Sequence, residues 1–161
     1  MPRIEIDTYI HAPREIIFDL SRSIDLHKIS TSHTKEEAIA GRTSGLLKLY
    51  ETITWRARHL GVYQKLTSKI TAYNRPECFT DEMVKGTFQS FKHDHIFITQ
   101  EGGTLMRDIF IYKSPFGLLG RIADKLFLKN YMKKLLERRN AVIKEFAESN
   151  RWKEILDFSE K

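Results

Sequence analysis

The fold class that this sequence predicts is α+β, a curved antiparallel β-sheet wrapped around one long C-terminal α-helix. Three observations predict it. Residues 49–112 carry consecutive segments of two-residue alternation, separated by turn signals at Gly61-Val62, Asn74-Arg75-Pro76, around Gly86 and at Gly102-Gly103. Residues 115–149 then switch to a helical period, with apolar residues three and four apart. Ahead of both lies one alternating strand that stops at Ala12-Pro13 and gives way to short helical patterns.

In the first strand, residues 3–11, Ile4, Ile6, Thr8 and Ile10 face one way and Arg3, Glu5, Asp7 and Tyr9 the other. Pro13 suits the first turn of a helix that continues through Ile17, Phe18 and Leu20. A second short helix through Ile24 and Leu26 runs into a polar loop over 30–34. Residues 35–40 read as a weak edge strand ended by Gly41. From Leu49 onward, Glu51, Ile53, Trp55, Ala57 and His59 share a face. Strands at 78–84, 88–99 and 104–112 follow the one that carries Leu66, Ser68, Ile70 and Ala72. The last strand is apolar on both faces, as a central or covered strand is. Ser114-Pro115 reads as a helix start, with a hydroxyl at the cap and proline just inside. Leu119, Ile122, Leu126, Tyr131, Leu135, Val142 and Phe146 form the expected inward stripe. Gly117 and Gly120 weaken the first turns by roughly 1 kcal/mol each relative to alanine and admit close backbone approach. The tail, 150–161, carries Trp152, Ile155, Leu156 and Phe158 and is expected to dock back as a short helical cap.

A chain of 161 residues fits one domain, 1–161. No apolar run is long enough to span a bilayer, and MPRIEIDTYI has no signal-peptide pattern. The lone cysteine, Cys78, cannot close an intrachain disulfide, so a cytoplasmic setting is expected. The net charge of +6 is concentrated in Lys125, Lys129, Lys133, Lys134, Arg138, Arg139 and Lys144, opposed within that stretch by Glu137. This reads first as a solvated helix face, with weak contact to a membrane surface as the alternative. Nucleic acid is not expected as a partner, because the basic residues are not interleaved with aromatics and match no binding motif.

The element order, with IHAPREIIFDL, DEMVKGTF, FKHDHIF and TLMRDIFIYKSPFGLLG, resembles the helix-grip fold of the SRPBCC superfamily. That group contains START lipid-transfer domains, birch-pollen-type allergens and polyketide cyclases. The combination of ETITWRARHLG, FTDEMVKGTFQSFKHDHIF and TLMRDIFIY is similar to a narrower group of small bacterial ligand-binding members, some of whose relatives are fused to an epimerase-type domain. No second domain is expected, and these 161 residues carry no glycine-rich dinucleotide fingerprint. The resemblance implies a cavity between sheet and helix for a small apolar or amphiphilic molecule (lipid-like, isoprenoid or aromatic) and names no cofactor.

Alternation then selects the candidate lining: Glu51, Trp55 and His59; Asp81; Phe91, His93, His95 and Phe97; Asp108, Phe110 and Tyr112. A two-residue turn at Gly102-Gly103 would pair Phe97 with Asp108, His95 with Phe110 and His93 with Tyr112. A three-residue loop around Gly86 would pair Phe79 with His93. Asp81, His93, His95 and Asp108 then form a polar band across three strands, with Glu51 and His59 about 14 Å away along a flat sheet. Histidines beside carboxylates can satisfy one another, orient a polar ligand group, or act as acid and base in a cyclase or dehydratase reaction. No bound metal is expected, since His93-x-His95 lacks an assured third ligand. Phe91, Phe97, Phe110 and Tyr112 are core residues or line free volume. Arg138 or Arg139, where the helical stripe is interrupted, is a candidate inward counter-ion, and Arg138 joins the candidate set.

Overall fold

The structure, a computed structural model, describes residues 1–159. Seven strands form one antiparallel sheet: β1 (Arg3–Ile10), β2 (Glu37–Gly41), β3 (Thr52–His59), β4 (Val62–Asn74), β5 (Cys78–Lys85), β6 (Ser90–Gln100) and β7 (Gly103–Lys113). Their order is β1-β7-β6-β5-β4-β3-β2. Five successive hairpins thus build the sheet from β2 to β7, and β1 closes on the last of them. Because β1 and β2 lie at opposite edges, the chain between them must cross the sheet. It does so as two short helices, α1 (Arg14–Ser21) and α2 (Ile24–Ser30).

After β7 the chain turns into α3 (Gly117–Ala123), passes through one π-helical turn at Asp124–Leu128 and continues as α4 (Lys129–Glu148). Both junction residues, Asp124 and Lys129, keep right-handed helical angles, so the three pieces form one unbroken helix. α5 (Trp152–Ser159) folds back, with Ile155 buried and Trp152 and Leu156 against the main core. The Phe158 side chain lies outside the described residues. No described helix is long and apolar enough to cross a membrane.

The interior divides into three apolar groups. The largest joins Ile10, Phe18, Phe97, Met106, Ile143 and Phe146, where α1 and the end of α4 meet the sheet. A second holds Ile4, Phe91, Phe110, Tyr112 and Leu136 beneath the middle of α4. The third, Ile24, Ile53 and Trp55, lies on the β3 side.

Two local expectations are corrected. The β6–β7 turn is Glu101-Gly102, one residue earlier than read, because Gly102 takes the left-handed φ of +76° and Gly103 is already paired with Gln100. Moving a turn by one residue moves each partner by two, so every side chain keeps its face. The helix is not capped by Ser114. That hydroxyl donates instead to Asp124 at 2.6 Å, and the left-handed Phe116 (φ +65°) precedes the first helical residue, Gly117.

Gly103 shows why a glycine stands inside a paired strand. A Cβ there would lie 2.3 Å from the Ile10 carbonyl oxygen at the end of β1. Gly103→Ala is therefore expected to cost about 1–3 kcal/mol of stability through forced displacement of β1. Urea unfolding with an unchanged midpoint would contradict this close approach.

Candidate functional site

Register assembles the polar band directly. His95 pairs with Phe79 on β5 and Asp108 on β7, and His93 pairs with Asp81 and Phe110. Each histidine also bonds to the carboxylate diagonal to it. His93 Nε2 donates to Asp108 Oδ1 at 2.9 Å, and His95 Nε2 donates to Asp81 Oδ1 at 2.9 Å. His95 Nδ1 also lies 2.9 Å from Asp108 Oδ1, an ion-pair contact whose geometry falls short of a hydrogen bond. The imidazoles lie 3.8 Å apart between centroids, and Phe79 stacks on His95 at 4.2 Å. The expected pairings of Phe97 with Asp108 and of Phe79 with His93 are thus replaced by ones two residues away.

Helix α4 completes the cluster. Asn140 Nδ2 donates to Asp108 Oδ2 at 2.6 Å, and Arg139 Nη1 approaches Asp108 Oδ1 at 3.5 Å. Arg139 is also tied to the Ser21 carbonyl and to Asn140 Oδ1. Of the two arginines considered from the sequence, Arg139 turns inward and Arg138 is exposed. One residue along a helix is a 100° rotation, enough to exchange core for solvent.

These contacts fix the charges. Burial is the largest influence on Asp108 and would raise its pKa, but the two histidines and Arg139 outweigh it and hold the carboxyl well below the ordinary range. Asp81 is lowered for the same reason, burial being overcome by His95 and His93. Burial also works against charge on His95, yet Asp108 and Asp81 raise it above the usual value. Burial and then the neighbouring His95 hold His93 down. With Arg139 cationic, one protonated and one neutral histidine balance two carboxylates. Neutral His93 keeps its proton on Nε2, facing Asp108, and leaves Nδ1 as an acceptor. Asp81 Oδ2 likewise has no hydrogen-bond partner among the described residues, and this side chain is 19% exposed, against 1% for Asp108.

Two empty spaces adjoin the cluster. The smaller, about 120 Å³, is bounded by Ser23, Ser68, Phe79, Asp81, His93 and His95. The larger, about 420 Å³, lies toward the start of the helix, among Ala57, Leu66, Phe88, Leu119, Phe127 and Leu135. His27, Trp55, Leu136 and Arg139 belong to the walls of both. The larger space has its own polar groups. His27 pairs with Glu36 at 3.3 Å and lies tilted against Trp55 with ring centroids 4.4 Å apart, while His59 Nδ1 meets the Tyr131 hydroxyl at 2.9 Å. Burial would raise Glu36, but His27 outweighs it and the pKa falls. Burial pushes His59 down and Tyr131 up, so both remain neutral near pH 7.

Of the residues selected from sequence, Trp55 and His59 line the large space and Asp81, His93 and His95 the small one. Asp108 lies beneath, fully covered. Phe91, Phe110 and Tyr112 pack under Leu136, and Phe97 packs with Phe18 and Phe79. Glu51 precedes β3 and is held away from both spaces by Arg42 and the Lys48 amide, each at 2.8 Å. His27, Glu36, Tyr131 and Asn140 escaped sequence reading. Tyr131 was legible as a stripe residue, but the approach of α2 and residue 36 to β3 is a tertiary event with no local signal.

Two outcomes follow. Asp108→Asn should destabilise the protein by about 3–5 kcal/mol, since His95 and Arg139 would lose their buried counter-charge; urea denaturation measures it. The raised His95 contributes stability that is full below pH 6.5 and lost as pH rises through its folded value. The lowered His93 contributes stability present above pH 6.5 and lost as pH falls. Imidazole ¹⁵N shifts at pH 6.5 should accordingly show His95 mainly cationic and His93 mainly the neutral Nε2–H tautomer. The reverse assignment would refute the charge balance.

The sequence matches no family model and no curated protein. Solved structures, in contrast, align over nearly its whole length. TTHA0849 from Thermus thermophilus superposes with a TM-score of 0.73 at 17% identity, covering 89% of this chain and 95% of that one. Major latex-like protein 151 from Panax ginseng gives a TM-score of 0.66 at 14% identity over 91% and 97%. The di-domain aromatase/cyclase StfQ of the steffimycin biosynthetic pathway gives 0.72 at 9% identity, with 91% of this chain matching 50% of StfQ. The seven-stranded antiparallel sheet closed by one long helix is therefore the helix-grip fold that these solved structures share.

Proposed function

We propose that the protein binds a small amphiphile whose apolar body occupies the large space and whose polar end reaches Asp81 and His93. The observation that carries this reading is the pairing of a 420 Å³, mainly apolar-walled space with an adjoining small one edged by unmet acceptors. The larger volume is in the range usual for small-molecule sites. Asp81 Oδ2 and His93 Nδ1 both accept, and Arg139 is already engaged, so the matching head group is a donor: a hydroxyl or an amine rather than a carboxylate. A cytoplasmic setting, in keeping with the lone Cys78, is part of this reading, and no role is assigned to nucleic acid.

A second reading has its own observation. His27 beside Glu36, and neutral His59 against Tyr131, place acid–base pairs on the wall of the large space. A cyclase or dehydratase of the polyketide type could use such pairs to move protons, His59 as base and Tyr131 as donor. StfQ shares the fold and is an aromatase/cyclase.

The binding reading is tested with three probes of equal chain length: a long-chain alcohol, the matching fatty acid and the matching alkane. A Trp152→Phe background leaves Trp55 as the sole indole reporter. The alcohol should bind about 1–3 kcal/mol more tightly than the alkane, and Asp81→Asn should erase that difference while leaving the alkane unaffected. Equal losses for both probes in Asp81→Asn, or tighter binding of the acid at pH 7, would overturn the assignment of the polar end.

A further inference from the structure

Large apolar side chains stand in the open around the mouth of the large space. Phe116, Leu118, Leu119, Ile122, Leu126 and Phe127 are 47% to 80% exposed. The expectation that Leu119, Ile122 and Leu126 continue the inward stripe is therefore corrected, and the reason lies in the helix geometry. Residues four apart form rows along a helix. The row Gly120, Asp124 and Leu128 faces the body: a Cβ on Gly120 would lie 2.0 Å from the Pro115 carbonyl oxygen, and Asp124 accepts from Ser114. That contact turns Leu119, Ala123 and Phe127 to the cavity mouth and Leu118, Ile122 and Leu126 away from the protein. The remaining row is Arg121, Lys125 and Lys129. All three are exposed, and none makes an ion pair among the described residues. Across the mouth, Leu60 at the β3–β4 turn adds a further apolar side chain that is 59% exposed.

Scattered exposed leucines need no explanation, but a contiguous apolar rim beside a cationic row does. Asp124 is the only acid between residues 117 and 133, and it is buried and bonded, so the face carries one sign of charge. A two-fold pair of identical chains would set this cationic row against itself. An anionic bilayer complements both halves, phosphates meeting the cations and the acyl boundary receiving the leucines. We propose that the face formed by Phe116 to Lys129 docks on the surface of an anionic membrane, with the cavity mouth turned toward the lipid. Docking requires no occupant in the cavity, so it stands apart from the ligand reading.

The test is co-sedimentation of the full chain with vesicles of phosphatidylcholine, or of equimolar phosphatidylcholine and phosphatidylglycerol. The protein should partition onto the mixed vesicles at low salt and bind the neutral ones at least about tenfold more weakly; ~0.5 M salt should weaken the anionic partition. Leu118→Ser with Leu126→Ser, and separately Arg121→Gln with Lys125→Gln and Lys129→Gln, should each reduce that partition about tenfold or more. These sites are exposed, so unfolding temperatures should stay within a degree or two of the parent, as surface changes allow. Failure of the folded protein to bind mixed vesicles, or wild-type binding by both variants, would overturn the proposal. So would dimerisation abolished by the leucine substitutions with no vesicle binding by either form.

Discussion

Asp108 is the group around which the interior is arranged. A carboxylate with 1% of its side chain exposed is costly by several kcal/mol unless its charge and lone pairs are met. Here two histidines from the neighbouring strand and two side chains of the helix meet them. The same contacts fix how α4 sits over the sheet, because Arg139 and Asn140 reach Asp108 from one rotation and one height of the helix. Apolar packing does not discriminate in this way: Leu136 or Ile143 could slide along the sheet with modest loss, whereas a displaced Arg139 would leave buried charge behind.

That anchor also decides where the empty space lies. With α4 held at Asp108 and packed through Ile143 and Phe146 onto α1, the C-terminal half of the helix fills the sheet. The N-terminal half cannot follow the same line, since Ser114 and Gly120 bind it to the end of β7. Between these two attachments stands the π turn at Asp124–Leu128, which adds a residue to one turn and shifts the rows on either side. The volume left beneath is the large cavity. Its walls come from β3 and β4, from α2 and from the helix. Arg139 brings the cluster to its inner wall, the acceptors Asp81 and His93 edge the smaller space beside it, and the displaced leucines rim its outer end.

Much of this was legible in the chain. Two-residue alternation placed the strands, and it put Asp81, His93, His95 and Asp108 on one face even though both flanking turns were misplaced. The error in each register was two residues, and side-chain facing has period two, so the band survived with different partners. The helical stripe located the long helix, and the interruption at Arg138 and Arg139 marked where a charge could turn inward. What the pattern could not express was depth. Phe91, Phe110 and Tyr112 share a face with His93 yet are covered by Leu136, while Leu119 and Leu126 share the apolar stripe yet stand in solvent.

The sequence by itself determined which residues share a face, because backbone geometry fixes the periods of strand and helix whatever they pack against. Only the tertiary structure decided which of those faces meet protein, empty space or solvent. That depends on where remote segments come to rest: Arg139 over Asp108, Gly120 on Pro115, Glu36 beside His27. Such contacts join residues 5 to 31 positions apart in sequence. They are set by charge neutralisation and close packing in three dimensions, which leave no periodic trace in the chain.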